Sequence, residues 1–230
     1  MKKENSRECL NWRNSSPLFS SLSEKEVEFL TEGYIQVHFK KGETIRKQGT
    51  ILDHVMYIGS GLAKQYIEEP GLNDIILTII IPGKMVCSAG FFVNGLQYST
   101  VAALTDTEIS FFKSDHLKDL LHQNKDFFNV FMGEFTQTVL NHYQRLSLIN
   151  RKQVPGRMAD SLLYLSKEIY NCDEFSLDLN RLDLANLCGM SKDSVDKVLR
   201  DFQEEKLIQI KKNIFKILDE KALRNISKFG

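Results

Sequence analysis

Apolar and polar positions change their rhythm twice along this chain. From Tyr34 to about Phe112 apolar and β-branched residues come in short runs: Ile35–Phe39, Val55–Ile58, Ile75–Ile81, Thr100–Leu104 and Ile109–Phe112. Gly42, Gly49, Gly59, Gly61, Gly71, Gly83, Gly90 and Gly95 punctuate them. Short strands split by Gly turns, with no helical period between them, predict a closed or rolled antiparallel β domain. Ahead of it, Ser23-Glu-Lys-Glu26 precedes Val27, Phe29 and Leu30, the capping-box signature of a short helix.

After Ser114 the period lengthens. Phe128, Phe131, Phe135, Val139, His142, Leu146 and Ile149 step by 3, 4, 4, 3, 4 and 3, a narrow apolar stripe on one long helix. A rod of roughly 25 residues is too long for a small β domain to cover at both ends. The residues Phe128, Phe131, Phe135, Val139, His142 and Leu146 are therefore expected to form the seam of a homodimer, with packing on the β domain as the competing use of the same stripe. Arg151-Lys-Gln-Val-Pro-Gly156 reads as a hinge. Beyond it Arg157–Tyr170 forms a second amphipathic helix, with Met158, Leu162, Leu163 and Leu165 apolar.

Residues 180–202 carry the clearest chemistry. Asn180 is suited to cap a helix whose buried side would hold Leu182, Leu184, Ala185 and Leu187. Gly189 suits the left-handed geometry of a tight turn. Ser191 then caps a second helix with Val195, Val198, Leu199 and Phe202 on one face, at i, i+3, i+4 and i+7. A small residue, a Gly four later and an apolar residue six beyond it give helix-turn-helix spacing. The outward residues Ser191, Lys192, Asp193, Ser194, Lys197 and Arg200 are the expected DNA-binding set, because a helix held this way brings its N-terminal end to base edges in the major groove. Leu207–Leu218 alternates on both sides of Lys212-Asn213, a β-hairpin that would make the motif winged, with Lys211, Lys212 and Lys216 suited to phosphate. A helical hairpin whose charged face is merely solvated is the competing reading.

Composition changes this picture little. The 230 residues are 42% hydrophobic and 26% charged, with 30 basic and 30 acidic side chains, ordinary for a globular chain. The part from residue 151 onward has 15 basic against 13 acidic residues, so any nucleic-acid surface is local. The longest apolar run, Ile75–Ile81, is far short of the roughly 20 residues a bilayer crossing needs, and the N-terminus lacks an apolar signal segment. A cytoplasmic protein without membrane contact is expected. Cys9, Cys87, Cys172 and Cys188 are scattered with no C-x-x-C pair, which reads as free thiols and no metal. His38 and His54 are the β region's only histidines before residue 116 and lie far apart, so a cupin-type metal enzyme is disfavoured. A nucleophile elbow, a P-loop and a G-x-G-x-x-G run are also missing. No enzyme and no cofactor is expected.

The chain resembles the CRP/FNR family of bacterial transcription regulators. The likeness spans about residues 18 to 220 and rests on Phe39-Lys-Lys-Gly-Glu43, Gln48-Gly49, Tyr57-Ile-Gly-Ser-Gly61, Ile81-Pro-Gly83, the long helix and the winged C-terminal part. It implies an α+β fold: an N-terminal antiparallel β-roll (a double-stranded β-helix), a long dimerisation helix and a C-terminal winged helix-turn-helix. The corresponding domains are residues 1–124 as sensor, 125–150 as dimerisation helix and 151–230 as DNA-binding domain. It further implies a homodimer on a near-palindromic promoter site, with recognition helices about 34 Å apart. Partners would be double-stranded DNA, a second copy, an unidentified small-molecule effector and, for an activator, RNA polymerase.

Two departures from the family pattern matter. Where relatives often carry Arg-Glu-x-x-x-Arg, this chain has Lys192-Asp193-Ser194-Val195-Asp196-Lys197; the signs match but the reach and the bidentate fork do not. The effector cassette runs Met85–Thr100, and its expected pocket residues are Ser88, Ala89, Gly90, Phe91, Gln97, Tyr98 and Ser99. Cyclic-nucleotide binders place a Gly-Glu pair and an Arg-Ser pair there. Here Ser88 falls near the Glu position and Gln97 or Tyr98 near the Arg position. With no cation to meet a buried phosphate, cyclic AMP is disfavoured. Cysteine clusters like those of iron–sulfur relatives are missing too, since only Cys9 lies near the N-terminus, with Trp12 where a partner would fall. The alternative to a regulator is a ligand-sensing β-roll protein, cyclic-nucleotide-binding-like or cupin-like, whose helical domain serves protein contacts.

Overall fold

A computed structural model describes residues 16–230; Cys9 and Trp12 lie outside the described residues. The chain forms two compact units. One comprises the residues up to Ile67 together with Ile80–Asn141, the other Glu68–Ile79 together with His142–Gly230.

The first unit opens with helices α1 (Pro17–Ser20) and α2 (Glu24–Thr31). The expected capping box closes α2. Ser23 Oγ accepts from the Glu26 N–H while the Glu26 carboxylate accepts from the Ser23 N–H at 2.8 Å, satisfying two groups that a helix start leaves open. Strands β1 (Ile35–Phe39), β2 (Thr44–Arg46), β3 (His54–Ser60) and β4 (Ala63–Ile67) follow. After β5 (Ile75–Ile80) come β6 (Met85–Val86), a 3₁₀ turn at Ala89–Phe92, β7 (Thr100–Ala103) and β8 (Thr107–Lys113). One sheet runs β1–β8–β3–β6, with antiparallel neighbours such as Val37 opposite Ile109 and Val55 opposite Phe112. In the other, β7 pairs antiparallel with both β2 and β4. The β-roll expected from the Gly-split runs is present, and β2, β4 and β6 are strands that periodicity missed because they are short or polar.

Strand β3 shows why the run Val55-Met-Tyr-Ile58 is apolar without alternation. Successive side chains point to opposite faces, and both faces are covered. Val55 and Tyr57 pack with Leu18, Phe19, Leu22, Leu30, Phe112 and Leu117 on the helical side. Met56 and Ile58 pack with Ala63, Val86, Val101 and Ile109 inside the roll. Phe19 sets its ring edge-on to Tyr57 at 5.2 Å, a geometry that adds to the area buried.

Helix α3 (Ser114–Gln123) leads into α4 (Lys125–Arg151). Its first half seats Phe127 and Phe131 in the same core, with Phe135 against it.

In the second unit, α5 (Val154–Tyr164) runs into a π-helical turn at Leu165–Ile169, then β9 (Glu174–Ser176), α6 (Arg181–Cys188), α7 (Lys192–Glu204), the hairpin β10 (Ile208–Lys211) and β11 (Ile214–Ile217), and α8 (Glu220–Phe229). The winged motif is as expected, with β9 as a third strand in the order β10–β11–β9. The hinge is shorter than Arg151–Gly156. Helix α4 ends at Arg151, and α5 starts at Val154 with Pro155 in its first turn, where a missing N–H costs nothing. Gly156 is there for contact with α8, since a Cβ would sit 2.6 Å from the Gly230 carbonyl oxygen. Ser227 donates to Asp160 at 2.6 Å and Lys152 reaches both of them, tying the end of α4, α5 and α8 together.

Gly90 marks the tightest approach in the first unit. A Cβ there would lie 1.9 Å from the Leu96 carbonyl oxygen, and the Gly90 carbonyl accepts from the N–H groups of Val93, Asn94 and Gly95. Gly90→Ala is expected to destabilise the first unit by about 1–3 kcal/mol, the usual scale of overpacking, read as a drop in its thermal unfolding midpoint with the second unit's transition in place.

Candidate nucleic-acid interface

The second unit presents α7 by fastening its apolar side. Val195, Val198, Leu199 and Phe202 are all buried, as the i, i+3, i+4, i+7 spacing demands. At its start Ser191 Oγ accepts from the Ser194 N–H at 3.2 Å, a cap that contributes about 1 kcal/mol. One turn earlier Gly189 holds φ +61° and ends α6, and Asn180 Oδ1 caps that helix by accepting from the Asp183 N–H at 2.9 Å. Ala185 is buried where the helices cross. One sequence expectation fails: Leu182 is 50% exposed, because the buried side of α6 is filled by Leu184, Ala185, Leu187 and Cys188 and the helix turns Leu182 outward.

What remains outside is polar. Ser191, Lys192, Asp193, Lys197 and Arg200 are exposed and Ser194 is half-buried, so the structure brings the whole expected DNA-binding set to one solvent-facing end and side of α7. The set is of mixed sign, and Asp196 and Asp201 join it. Arg181, outside the expected set, stands beside it. Its Nε lies 3.3 Å from the Asp196 carboxylate and its guanidinium over the Phe215 ring at 5.7 Å. The signal available in sequence was a basic residue at the first position of a capped helix. Only the crossing of α6, α7 and the hairpin shows that it flanks the recognition helix. On the wing, Lys211 and Lys212 are exposed, whereas Lys216 pairs with Glu174 at 2.7 Å. Lys212 holds φ +58°, a backbone geometry that disfavours a side chain.

The effector cassette is neutral and closed on itself. Ser88, Gly90, Phe91, Gln97 and Ser99 are buried, while Ala89 and Tyr98 are exposed. Ser88 Oγ accepts from the N–H groups of Gly90 and Tyr98 and donates to the Leu96 carbonyl. Gln97 donates to the Ser99 carbonyl at 2.7 Å, and Gln65 donates to Ser99 Oγ at 2.7 Å. Gln97 Oε1 is buried without a partner. Tyr98, at one of the two positions matching the family's Arg, turns out to accept from the Asn94 amide. The network offers serines and amides but no cation. Burial pushes the Cys87 thiol up to about 12, so it stays protonated at neutral pH. Among the described residues no group of three or more His, Cys, Asp or Glu side chains could hold a metal ion. No described helix is long and apolar enough to cross a membrane.

The stripe on α4 divides. Phe131 is 4% exposed and lies within its own unit's core, ringed by Phe92, Phe127 and Phe135, so it is not a free seam position. Phe135, Val139 and His142 are half-buried, and Phe128 and Leu146 are exposed. His142 Nε2 has no partner, and burial lowers the pKa of its ring, keeping it neutral at physiological pH. The apolar surface of α4 open to solvent also includes Tyr143 and Leu140, about a quarter turn and over a third of a turn round from the stripe respectively.

Residues 36–124 match the cyclic nucleotide-binding domain family, and residues 156–226 match the Crp-like helix-turn-helix domain family. The chain is 26% identical over 192 residues to the transcriptional activator protein FnrA of Stutzerimonas stutzeri, covering 80% of this chain and 77% of that protein. It is 24% identical over 210 residues to the CRP-like cAMP-activated global transcriptional regulator of Mycobacterium tuberculosis, covering 90% of this chain and 94% of that one. Its fold is similar to that of FixK2 from Bradyrhizobium japonicum, with a TM-score of 0.77 at 15% identity over 84% of this chain and 96% of that one.

Proposed function

The chain belongs to the CRP/FNR family of transcription regulators, and on that footing we propose that it acts as a homodimer reading a near-palindromic DNA site through α7, under a signal other than cyclic AMP. The observation that carries the DNA-reading part is the presentation of α7: buried apolar side, capped tip, polar flank in solvent. Lys192 and Lys197 would donate to guanine edges and Asp193 would accept from cytosine N4, the pairings these side chains allow. Ser191, Ser194, Arg200, Arg181 and the wing lysines Lys211 and Lys212 suit phosphate and sugar contacts. The mixed signs on α7 favour sequence-matched contacts over indiscriminate backbone binding. For an activator, RNA polymerase would be the further partner. The protein is read as a binding protein rather than an enzyme, working in the cytoplasm.

Division of labour along the chain would follow the expected segments, residues 1–124 sensing, 125–150 joining two copies and 151–230 holding DNA. The seam is best formed by the α4 residues still open to solvent, Phe128, Leu140, Tyr143 and Leu146, with Val139 and His142 at its margin.

The cassette supports a signal that is not a cyclic phosphate. A phosphate buried among Ser88, Gln97 and Ser99 would meet hydroxyls and amides only, and an unpaired buried charge costs several kcal/mol. The alternative reading, a sensing module whose helical domain serves protein contact alone, differs in one measurable respect: it would not bind duplexes.

Three outcomes are expected. Duplexes selected by the purified chain from a randomised pool should be retarded in gel shifts with affinity falling steeply as salt rises, and Lys197→Ala should weaken the selected duplex by about 1–3 kcal/mol; indifference to duplexes at low salt would favour the protein-contact reading. Calorimetric titration with cyclic AMP should show no heat of binding at micromolar concentrations, and a micromolar isotherm would overturn the neutral-cassette argument. Leu140→Cys should crosslink into a covalent dimer under oxidising conditions, while a purely monomeric product would count against the seam.

A further inference from the structure

Asp196 lies on the polar flank of α7 outside the expected DNA-binding set, and its charge is met from another helix. Lys192 and Arg200 stand four residues before and after it, the spacing at which opposite charges on one helix can meet. Among the described residues neither forms an ion pair with it, and Arg200 turns its Nε to the Asp196 backbone carbonyl at 3.3 Å. The carboxylate is met instead by Arg181 of α6, whose Nε stands 3.3 Å from it, while the Asp196 side chain stays 52% exposed.

Arg181 is itself held from behind. Its guanidinium lies over the Phe215 ring at 5.7 Å. Phe215 of β11 stands opposite Phe175 of β9, their rings stacked at 6.1 Å, and Tyr170 stacks on Phe175 at 4.7 Å. Tyr170 is anchored in turn by Asp178, whose N–H donates to its Oη at 3.0 Å. Phe175 and Phe215 are buried, so the wing sheet gives Arg181 a firm floor. A planar guanidinium suits such a seat, since it stacks on a ring and keeps the N–H groups at its edge free to bond. One edge group faces Asp196, and the Nη groups remain for the phosphate contact given above.

We propose that Asp196 is a specificity-determining residue of the DNA interface, with Arg181 as its positioning residue. The pair selects a base with an exocyclic amino group, cytosine or adenine, at one position of each half-site. This rests on the regulator reading above and adds a sequence requirement to it. An ionised carboxylate only accepts hydrogen bonds. Cytosine N4 and adenine N6 donate into the major groove, whereas guanine O6 and N7 and thymine O4 only accept and would face the carboxylate with like partial charge. A carboxylate also repels phosphate. Arg181 offsets that charge, so Asp196 discriminates between bases without weakening the whole complex.

The test uses the full chain and a duplex that the unaltered chain selects from a randomised pool, each base pair then being changed singly. Asp196→Ala is expected to lower discrimination against guanine and thymine about tenfold at one position of each half-site, with the other positions as selective as before. Arg181→Ala, which keeps the carboxylate, should lose most of the same discrimination, and adding it to Asp196→Ala should lose no more. Arg181→Lys keeps the charge but not the planar stack, and should not restore the preference. Both side chains are partly in solvent, and Asp196→Ala alone carries the test if Arg181→Ala folds poorly. A uniform loss across all duplexes in Arg181→Ala would make Arg181 a phosphate contact only and overturn its positioning role. If the unaltered chain selects no duplex, the regulator reading fails and this proposal with it. If it selects one and Asp196→Ala keeps every base preference, the regulator reading stands and the proposal alone falls.

Discussion

The interface this protein offers depends on burying one side of α7. Val195, Val198, Leu199 and Phe202 give up water for the interior of the second unit, which at about 1.5–3 kcal/mol per large apolar side chain outweighs what the exposed flank could contribute. That flank is left outside by default, and its composition is free to serve recognition. The turn before it carries the geometric burden. Gly189 takes the left-handed conformation, with Ile149 of α4 only 3.1 Å from where a Cβ would stand, so the same residue that breaks the helix also admits a close neighbour. Ser191 then closes the helix start that a DNA-reading end must leave accessible. Core, turn and cap together fix which residues face outward.

The Met85–Thr100 cassette illustrates the opposite use of polar groups. Ser88 and Gln97 are turned inward and spend most of their hydrogen bonds on the cassette's own backbone. A chain that closes on itself in this manner needs small residues at the closure, which is why Gly90 touches the Leu96 carbonyl. It also needs no bound anion to complete its polar network, although one acceptor, Gln97 Oε1, is left over. The chemistry of the cassette is therefore that of buried amides and hydroxyls, where an added charge would be penalised and a neutral donor would not.

Between these two sites the chain is divided in an unexpected way. Helix α4 contributes Phe127, Phe131 and Phe135 to one unit, and Arg145 and the backbone of Ile149, which accepts from Arg157 at 3.1 Å, to the other. The stretch Glu68–Ile79 clusters with His142–Gly230, and its last two residues, Thr78 and Ile79, meet Tyr164. Each case places a residue with a specific bonding need where two stretches distant in sequence must cooperate.

The sequence by itself determined the elements whose signals are local: the strand runs between Gly turns, the capping box at Ser23, the long helix, and the helix-turn-helix with its αL glycine, serine cap and winged hairpin. Periodicity and capping chemistry act over a few residues, so they can be read without knowing the fold. Tertiary structure alone decided everything that depended on a distant partner. Phe131 went to the core because Phe92 and Phe127 meet it there, and Leu182 went to solvent because its neighbours already filled the crossing. Gly156 stands in α5 where a Cβ would meet the Gly230 carbonyl, a neighbour nothing in the local sequence announces. Arg181 came to flank α7 through Phe215 and Asp196, and Tyr164 acquired its partners from a strand some 85 residues earlier. The physical reason is common to them all: amphipathicity says that a side chain will be buried, and only the packing of separate elements says against what.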